Sequence, residues 1–110
     1  MVTIEYLENF EKSFKRIFKK YKHTAKDDLK QLIVELQKDP KMGIELGHNI
    51  YKVRLENSAK NRGKSAGFRV ATYFVDENNK VYLVHIYDKS KTSNVSKEKL
   101  MEIIKRELER

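Results

Sequence analysis

Lys52 and Arg54 occupy alternate positions in NIYKVRL (49–55), and a second basic run, KNRGKSAGFR (60–69), follows closely. Residues 49–69 hold six of the chain's 24 lysines and arginines but one of its 16 acids, Glu56, so this short stretch carries +5 of the net +8. Charge concentrated in this way marks a surface for polyphosphate ligands. Arginine stays charged and clamps phosphate through two N–H groups. A free lysine titrates near about 10.4, and neighbouring cations disfavour its protonated form, which suits it to serve as a base. Where the polyanion carries a 2′-hydroxyl, that group can attack its own phosphate. The protein then aligns the two, removes the hydroxyl proton, neutralises the phosphorane and protonates the leaving oxygen. Such a step needs no metal or cofactor, and the residues imply none: there is no cysteine, and His23, His48 and His85 lack metal-ligand spacing. The acids lie mainly on expected helices and turns, which argues against paired-carboxylate chemistry, and no Ser/His/Asp arrangement emerges from spacing. His85 sits inside an apolar run and reads as a packed or hydrogen-bonded histidine rather than a base.

These side chains need a scaffold, and 110 residues suffice for one domain, 1–110, with a modest core. A composition 39% hydrophobic and 36% charged suits a heavily charged surface around packed apolar residues, not a disordered chain. A pI near 9.6 points towards RNA, DNA, an acidic protein or an anionic membrane. No apolar run is long enough for a signal peptide or a membrane span, so a cytoplasmic location is expected. Residues 2–6 alternate as a short strand. Phe10, Phe14, Ile17, Phe18 and Tyr21 define one face of a helix over about 9–22, with most of its lysines on a solvated face. Thr24 and Asp27 suggest a capping box opening a second helix over about 25–38, ended by Asp39-Pro40 and Gly43. The period then changes to two. Strands are expected at 49–55, 67–75 and 80–87, the last two joined by the turn Asp76–Asn79. Ser96 caps a final helix bearing Leu100, Ile103, Ile104 and Leu108. The expected fold is α+β, in the order β-α-α-β-β-β-α. It has an antiparallel sheet, an N-terminal helical hairpin and a C-terminal helix, with the Lys52/Arg54 face left open at least in part.

In that order and spacing, NIYKVRL, RGKSAGFRVATYFV and VYLVHIYDKS resemble the RelE/HigB branch of the RelE/ParE toxin superfamily, the toxins of bacterial type II toxin–antitoxin modules. The resemblance covers nearly the whole chain. It implies an endonuclease that enters the ribosomal A site and cuts mRNA there, contacting ribosomal RNA, and a cognate antitoxin protein that wraps the toxin and blocks its basic site. Carried over by residue, Lys52 matches the favoured general base, Arg54 its basic partner, and Arg69 the strand arginine that stabilises the phosphate. Lys89 matches a basic position implicated in acid or phosphate duty. Arg62 and Lys64 match the basic loop of HigB-like members, where RNA or ribosomal RNA contact is implied, and Lys60, Tyr87 and Lys91 complete the expected RNA contacts. Two departures stand out. No tyrosine occurs near Asn94-Val95-Ser96, where RelE stacks one on the substrate base, and Tyr87 is the nearby substitute. Ala66 replaces a second glycine common in relatives. The alternatives are a gyrase-inhibiting, ParE-like toxin without nuclease activity and an inactive homologue that retains antitoxin binding.

Overall fold

Alternation along the chain's middle strands sets the architecture, because each of them buries one row of side chains beneath a helical layer. The computed structural model describes residues 2–59, 67–91 and 94–109. Strand β1 (Thr3–Tyr6) leads into helices α1 (Glu8–Lys20) and α2 (Lys22–Lys38). Strands β2 (Ile44–Gly47), β3 (Ile50–Leu55), β4 (Phe68–Val75) and β5 (Lys80–Asp88) follow, and helix α3 (Lys97–Leu108) comes last. The sheet order is β1-β5-β4-β3-β2.

Tyr51, Val53 and Leu55 of β3 face α1 and α2, together with Phe68, Val70, Phe74, Val81, Leu83 and Ile86. There they meet Phe10, Ile17, Leu29, Leu32 and Leu36. Burying each large aliphatic or aromatic side chain is worth about 1.5–3 kcal/mol, so this face holds most of the stability. On the opposite face Ile50, Ala71 and Val84 pack against Leu100, Ile103 and Ile104 of α3.

Three details differ from the expectation. The sheet is mixed, because β1 pairs in parallel with β5, Thr3 opposite Lys80 through Tyr6 opposite Leu83. No short turn links these two strands, so nothing forces them antiparallel. An additional strand, β2, forms a hairpin with β3. Its loop residues His48 and Asn49 both have positive φ (55° and 61°), as a type I′ hairpin turn requires. Helix α2 begins at Lys22 rather than after Thr24, and Tyr21 both ends α1 and caps α2 without a side-chain bond. The single-residue break leaves no room for a Thr24 cap. The Ser96 cap forms as expected, its hydroxyl accepting from the Lys99 amide at 3.2 Å. Helix α1 also lacks a side-chain cap of its own. The Glu107 carboxylate of α3 takes that place, accepting from the amides of Glu8 and Asn9 at 2.6 and 2.9 Å, where negative charge complements the helix dipole.

The outer edge of β5 is closed in two parts. Strand β1 and then the Leu7 amide cover it as far as Leu83. From Val84 onward helix α1 takes over with side chains. Asn9 Nδ2 donates to the Val84 carbonyl at 2.9 Å, and one turn later Ser13 Oγ accepts from the Ile86 amide at 3.1 Å while donating to the Phe10 carbonyl. Replacing Ser13 with Ala leaves a buried amide unpaired, which costs about 1–3 kcal/mol. We expect Ser13→Ala to lower the urea midpoint by a corresponding amount with an unchanged m-value, and an unaltered midpoint would refute this role.

Candidate nucleic-acid interface

The face of the sheet opposite α1 and α2 gathers the polar residues of β3, β4 and β5 into two rows. Arg54 pairs with Arg69, and Arg69 with Tyr87. Next to them Lys52 pairs with Ala71, and Ala71 with His85. Directly opposed residues on neighbouring strands lie about 4.5–5.5 Å apart at Cβ, so each row forms a continuous strip across three strands. Ala71 is buried against α3, between Lys52 and His85. Arg54 is exposed, Lys52 half-buried, and Arg69 and Tyr87 almost fully buried. The Arg69 guanidinium is tied down by an Nη1 bond to the Phe68 carbonyl at 3.2 Å. A buried, restrained arginine beside an exposed one makes a pre-set clamp for an oxyanion, with little freedom left to lose on binding.

Lys89 lies just beyond this strip. Its amide donates to the Gly67 carbonyl at 3.0 Å, so it is held at the mouth of the β3–β4 connection. Gly67 is obligatory there, because a Cβ would fall 2.3 Å from the Leu55 carbonyl. Lys91 is exposed, two residues further on. Lys60, Arg62 and Lys64 lie outside the described residues. The sheet thus brings Lys52, Arg54, Arg69 and Tyr87 onto one surface, with Lys89 and Lys91 following the end of β5.

Two features escaped sequence reasoning. The first is a β-bulge. The register shifts between Ala71 and Thr72, so Val84 is an extra residue on β5. Bulges re-aim side chains, and here the displaced residue is His85. The second is the partner of His85. The amide nitrogen of Asn9 that donates to the Val84 carbonyl also contacts His85 Nδ1 at 2.9 Å. A carbonyl only accepts, so the atom between them is the NH₂ group and Nδ1 must be the acceptor. His85 is therefore neutral, with its proton on Nε2. Burial pushes its pKa below the usual value, and the nearby cations Arg16 and Lys99 add to the effect. Tyr87 lies beside it, ring centroids 6.0 Å apart, and its hydroxyl donates to Asn94 Oδ1 at 3.3 Å. Burial raises the Tyr87 phenol, while the Arg69 charge pulls the other way. The expectation that His85 is a packed, hydrogen-bonded residue agrees with this geometry. The spacing of Asn9 and Ser13, one turn apart, was the signal that could have revealed the edge contact.

The family model for the RelE toxin of the RelE/RelB toxin–antitoxin system matches residues 9–107. The chain belongs to the RelE toxin family. Its fold is similar to that of a double mutant of E. coli toxin RelE in the free state, with 18% identity, a TM-score of 0.61 and 96% of each chain covered. It is also similar to RelE in the intact E. coli RelBE toxin–antitoxin complex, with 19% identity, a TM-score of 0.59, and 80% of this chain and 96% of that one covered. A toxin from Helicobacter pylori, solved with metal bound, matches at 16% identity and a TM-score of 0.51, over 83% of this chain and 98% of that one. Within the RelE family, the expected α+β fold and helical hairpin hold, with the added strand and parallel edge described above.

The His85 geometry has a pH consequence. As pH falls below about 6.5 the unfolded chain takes up a proton that the folded chain resists, so stability declines through that window and is unaffected by this group above it. Asn9→Asp replaces the donor with a carboxylate that favours imidazolium. NMR titration should show the His85 pKa below its ordinary value in the native chain and raised in the variant; equal values in both would rule out the Asn9 contact.

Proposed function

We propose that this RelE-family protein is the toxin of a type II toxin–antitoxin module and an endoribonuclease that cleaves mRNA in the ribosomal A site. The observation that carries the reading is the cross-strand strip Arg54–Arg69–Tyr87, with Lys52 on the same face. In this scheme Lys52 removes the proton of the substrate 2′-hydroxyl, which attacks the adjacent phosphate. Arg69 and Arg54 hold the phosphorane oxygens as negative charge develops, and restraint of the Arg69 guanidinium lets it act with little reorganisation. Lys89 protonates the leaving 5′-oxygen or contacts the phosphate. Tyr87, next to His85, substitutes for the C-terminal tyrosine that RelE stacks on the substrate base, a position without a tyrosine in this chain. Lys60, Arg62, Lys64 and Lys91 contact mRNA or ribosomal RNA. The HigB-like resemblance of the IYDK segment belongs to the same reading, as does a cytoplasmic site of action.

The proposed partner is a cognate antitoxin that docks an acidic segment over the cationic strip, forming a toxin–antitoxin hetero-oligomer. Complementary charge would speed this encounter, and burying the arginines would exclude RNA. The solved E. coli relatives include both a RelBE complex and RelE bound to a RelB peptide, which supports a protein partner of this kind.

Induced expression followed by mapping of mRNA 5′ ends tests the nuclease. Wild type should produce new ends within translated messages. Lys52→Ala should reduce cleavage by about 10²–10⁴-fold, the usual contribution of a general base. Arg69→Lys keeps a cation in the buried site and should cost about 10²–10³-fold, as does loss of one oxyanion donor. Growth arrest with intact messages, and loss of supercoiling by purified gyrase, would instead establish a ParE-like activity.

A further inference from the structure

Asn9, Ser13, Arg16 and Lys20 lie at spacings of four, three and four, so they form a single polar stripe along α1. The first two close the edge of β5. The last two continue the stripe past these contacts. Beyond Ile86 the helix and strand part around a cleft of about 310 Å³. Arg16, Lys20 and Tyr21 line its helical side, and His85, Tyr87 and Lys91 its other side. Three cations converge there, all exposed, against one acid, Asp88. The Asp88 carboxylate accepts at Oδ1 from the amide and hydroxyl of Ser90 at 3.0 and 2.7 Å, and its charge also acts on Lys20 and Lys91.

Lys20 and Lys91 both line the cleft, and the proximity and charge of Lys20 lower the Lys91 pKa from its ordinary value, while the Asp88 charge acts in the opposite sense. One carboxylate offsets only one of the three cations, so the cleft keeps a net positive charge. The cleft is also continuous with the cationic strip, because Tyr87 is both the end of the Arg54–Arg69–Tyr87 row and a wall of the cleft. The half-buried His85 ring supplies aromatic surface beside the charges, with the buried Tyr87 contributing only an edge.

We propose that this cleft is a second RNA subsite, in which Arg16, Lys20 and Lys91 hold a backbone phosphate flanking the scissile one while the His85–Tyr87 wall receives a base. The inference rests on the ribonuclease reading above for its substrate, and extends it to residues outside the cationic strip. A carboxylate peptide would satisfy the charges but would make no use of the aromatic wall, which favours a nucleotide. The strand would cross the sheet face, pass over the side-chain-closed edge of β5 and enter the α1 cleft.

The test uses fluorescence anisotropy with the full-length protein and two uncleavable, uniformly 2′-O-methylated single-stranded RNA probes, a trimer and a dodecamer. Arg16→Gln combined with Lys20→Gln removes the helical cations at exposed positions, and circular dichroism checks that the fold is retained. The variant should bind the dodecamer at least about tenfold more weakly, and its slope of log affinity against log salt should be shallower by about 0.7, the contribution of one phosphate contact to a single strand. Trimer binding should be unchanged. Unchanged dodecamer affinity and slope would overturn the subsite, as would wild type that binds no dodecamer. Loss of antitoxin binding with intact RNA affinity would also overturn it, assigning the cleft to an acidic peptide. Failure of the nuclease reading is distinguishable: a wild type that cuts no message, yet binds the dodecamer through Arg16 and Lys20, retains the subsite without the activity.

Discussion

The strand register is the constraint from which the candidate interface follows. In β3 and β4, successive side chains point to opposite faces, so burying Tyr51, Val53, Leu55, Phe68 and Val70 under α1 and α2 obliges Lys52, Arg54 and Arg69 to share the other face. A slip of one residue would bury the cations and expose the core, which makes the register strongly specified. Like charges directly opposite one another destabilise a sheet by a few tenths to about 1 kcal/mol per pair. The Arg54–Arg69 pair is tolerated because several buried apolar side chains hold the same register, each worth more than the repulsion. The core thus forces together cations that would otherwise separate, and that is the condition for a site that attracts a polyanion.

The second constraint is the sheet edge. Strand β1 is four residues long and leaves the distal half of β5 unpaired. An open edge of this kind is a liability for unintended strand pairing. Helix α1 closes it with Asn9 and Ser13 in place of a strand, and the same contacts fix the tautomer of His85. Because a helix cannot follow a strand for long, Arg16 and Lys20 leave the edge, and the divergence opens the cleft. Edge protection, histidine tautomer and cleft are therefore consequences of one packing decision, the placement of α1 beside β5. The Glu107 carboxylate reinforces that placement by capping α1 from the far end of the chain.

What the sequence made legible divides along physical lines. Periodicity is local, so the two amphipathic helices, the three long strands and the Ser96 cap could be read from spacing alone. So could the shared face of Lys52 and Arg54, which follows from alternation within one strand. Placing Arg69 and Tyr87 beside them needed the cross-strand register, which the resemblance to RelE-like toxins supplied and the core confirms as geometry. The short strand Ile44–Gly47 was missed because four residues, two of them exposed at the start, carry too little alternation, and because Gly43 read as the end of a helix. The parallel pairing of β1 with β5 joins residues more than seventy positions apart, and no local pattern encodes it.

The bulge at Val84 shows most clearly why the remainder was hidden. Strict alternation along VYLVHIY would put Val84 and Ile86 on one face and His85 on the other. Instead Leu83 and Ile86 pack beneath α1 and α2 while Val84 packs against α3. Around Val84 both faces of the sheet are covered, so an extra residue can be accommodated without exposing apolar surface, and alternation carries no penalty by which to detect it. The shift matters because it puts His85 on the face of Lys52 and Tyr87, within reach of Asn9. A histidine that read as a bland core residue from its apolar neighbours is thus a fixed Nε2–H donor at the junction of the cationic strip and the α1 cleft. Its orientation depends on one asparagine 76 residues away, and only the folded chain brings the two together.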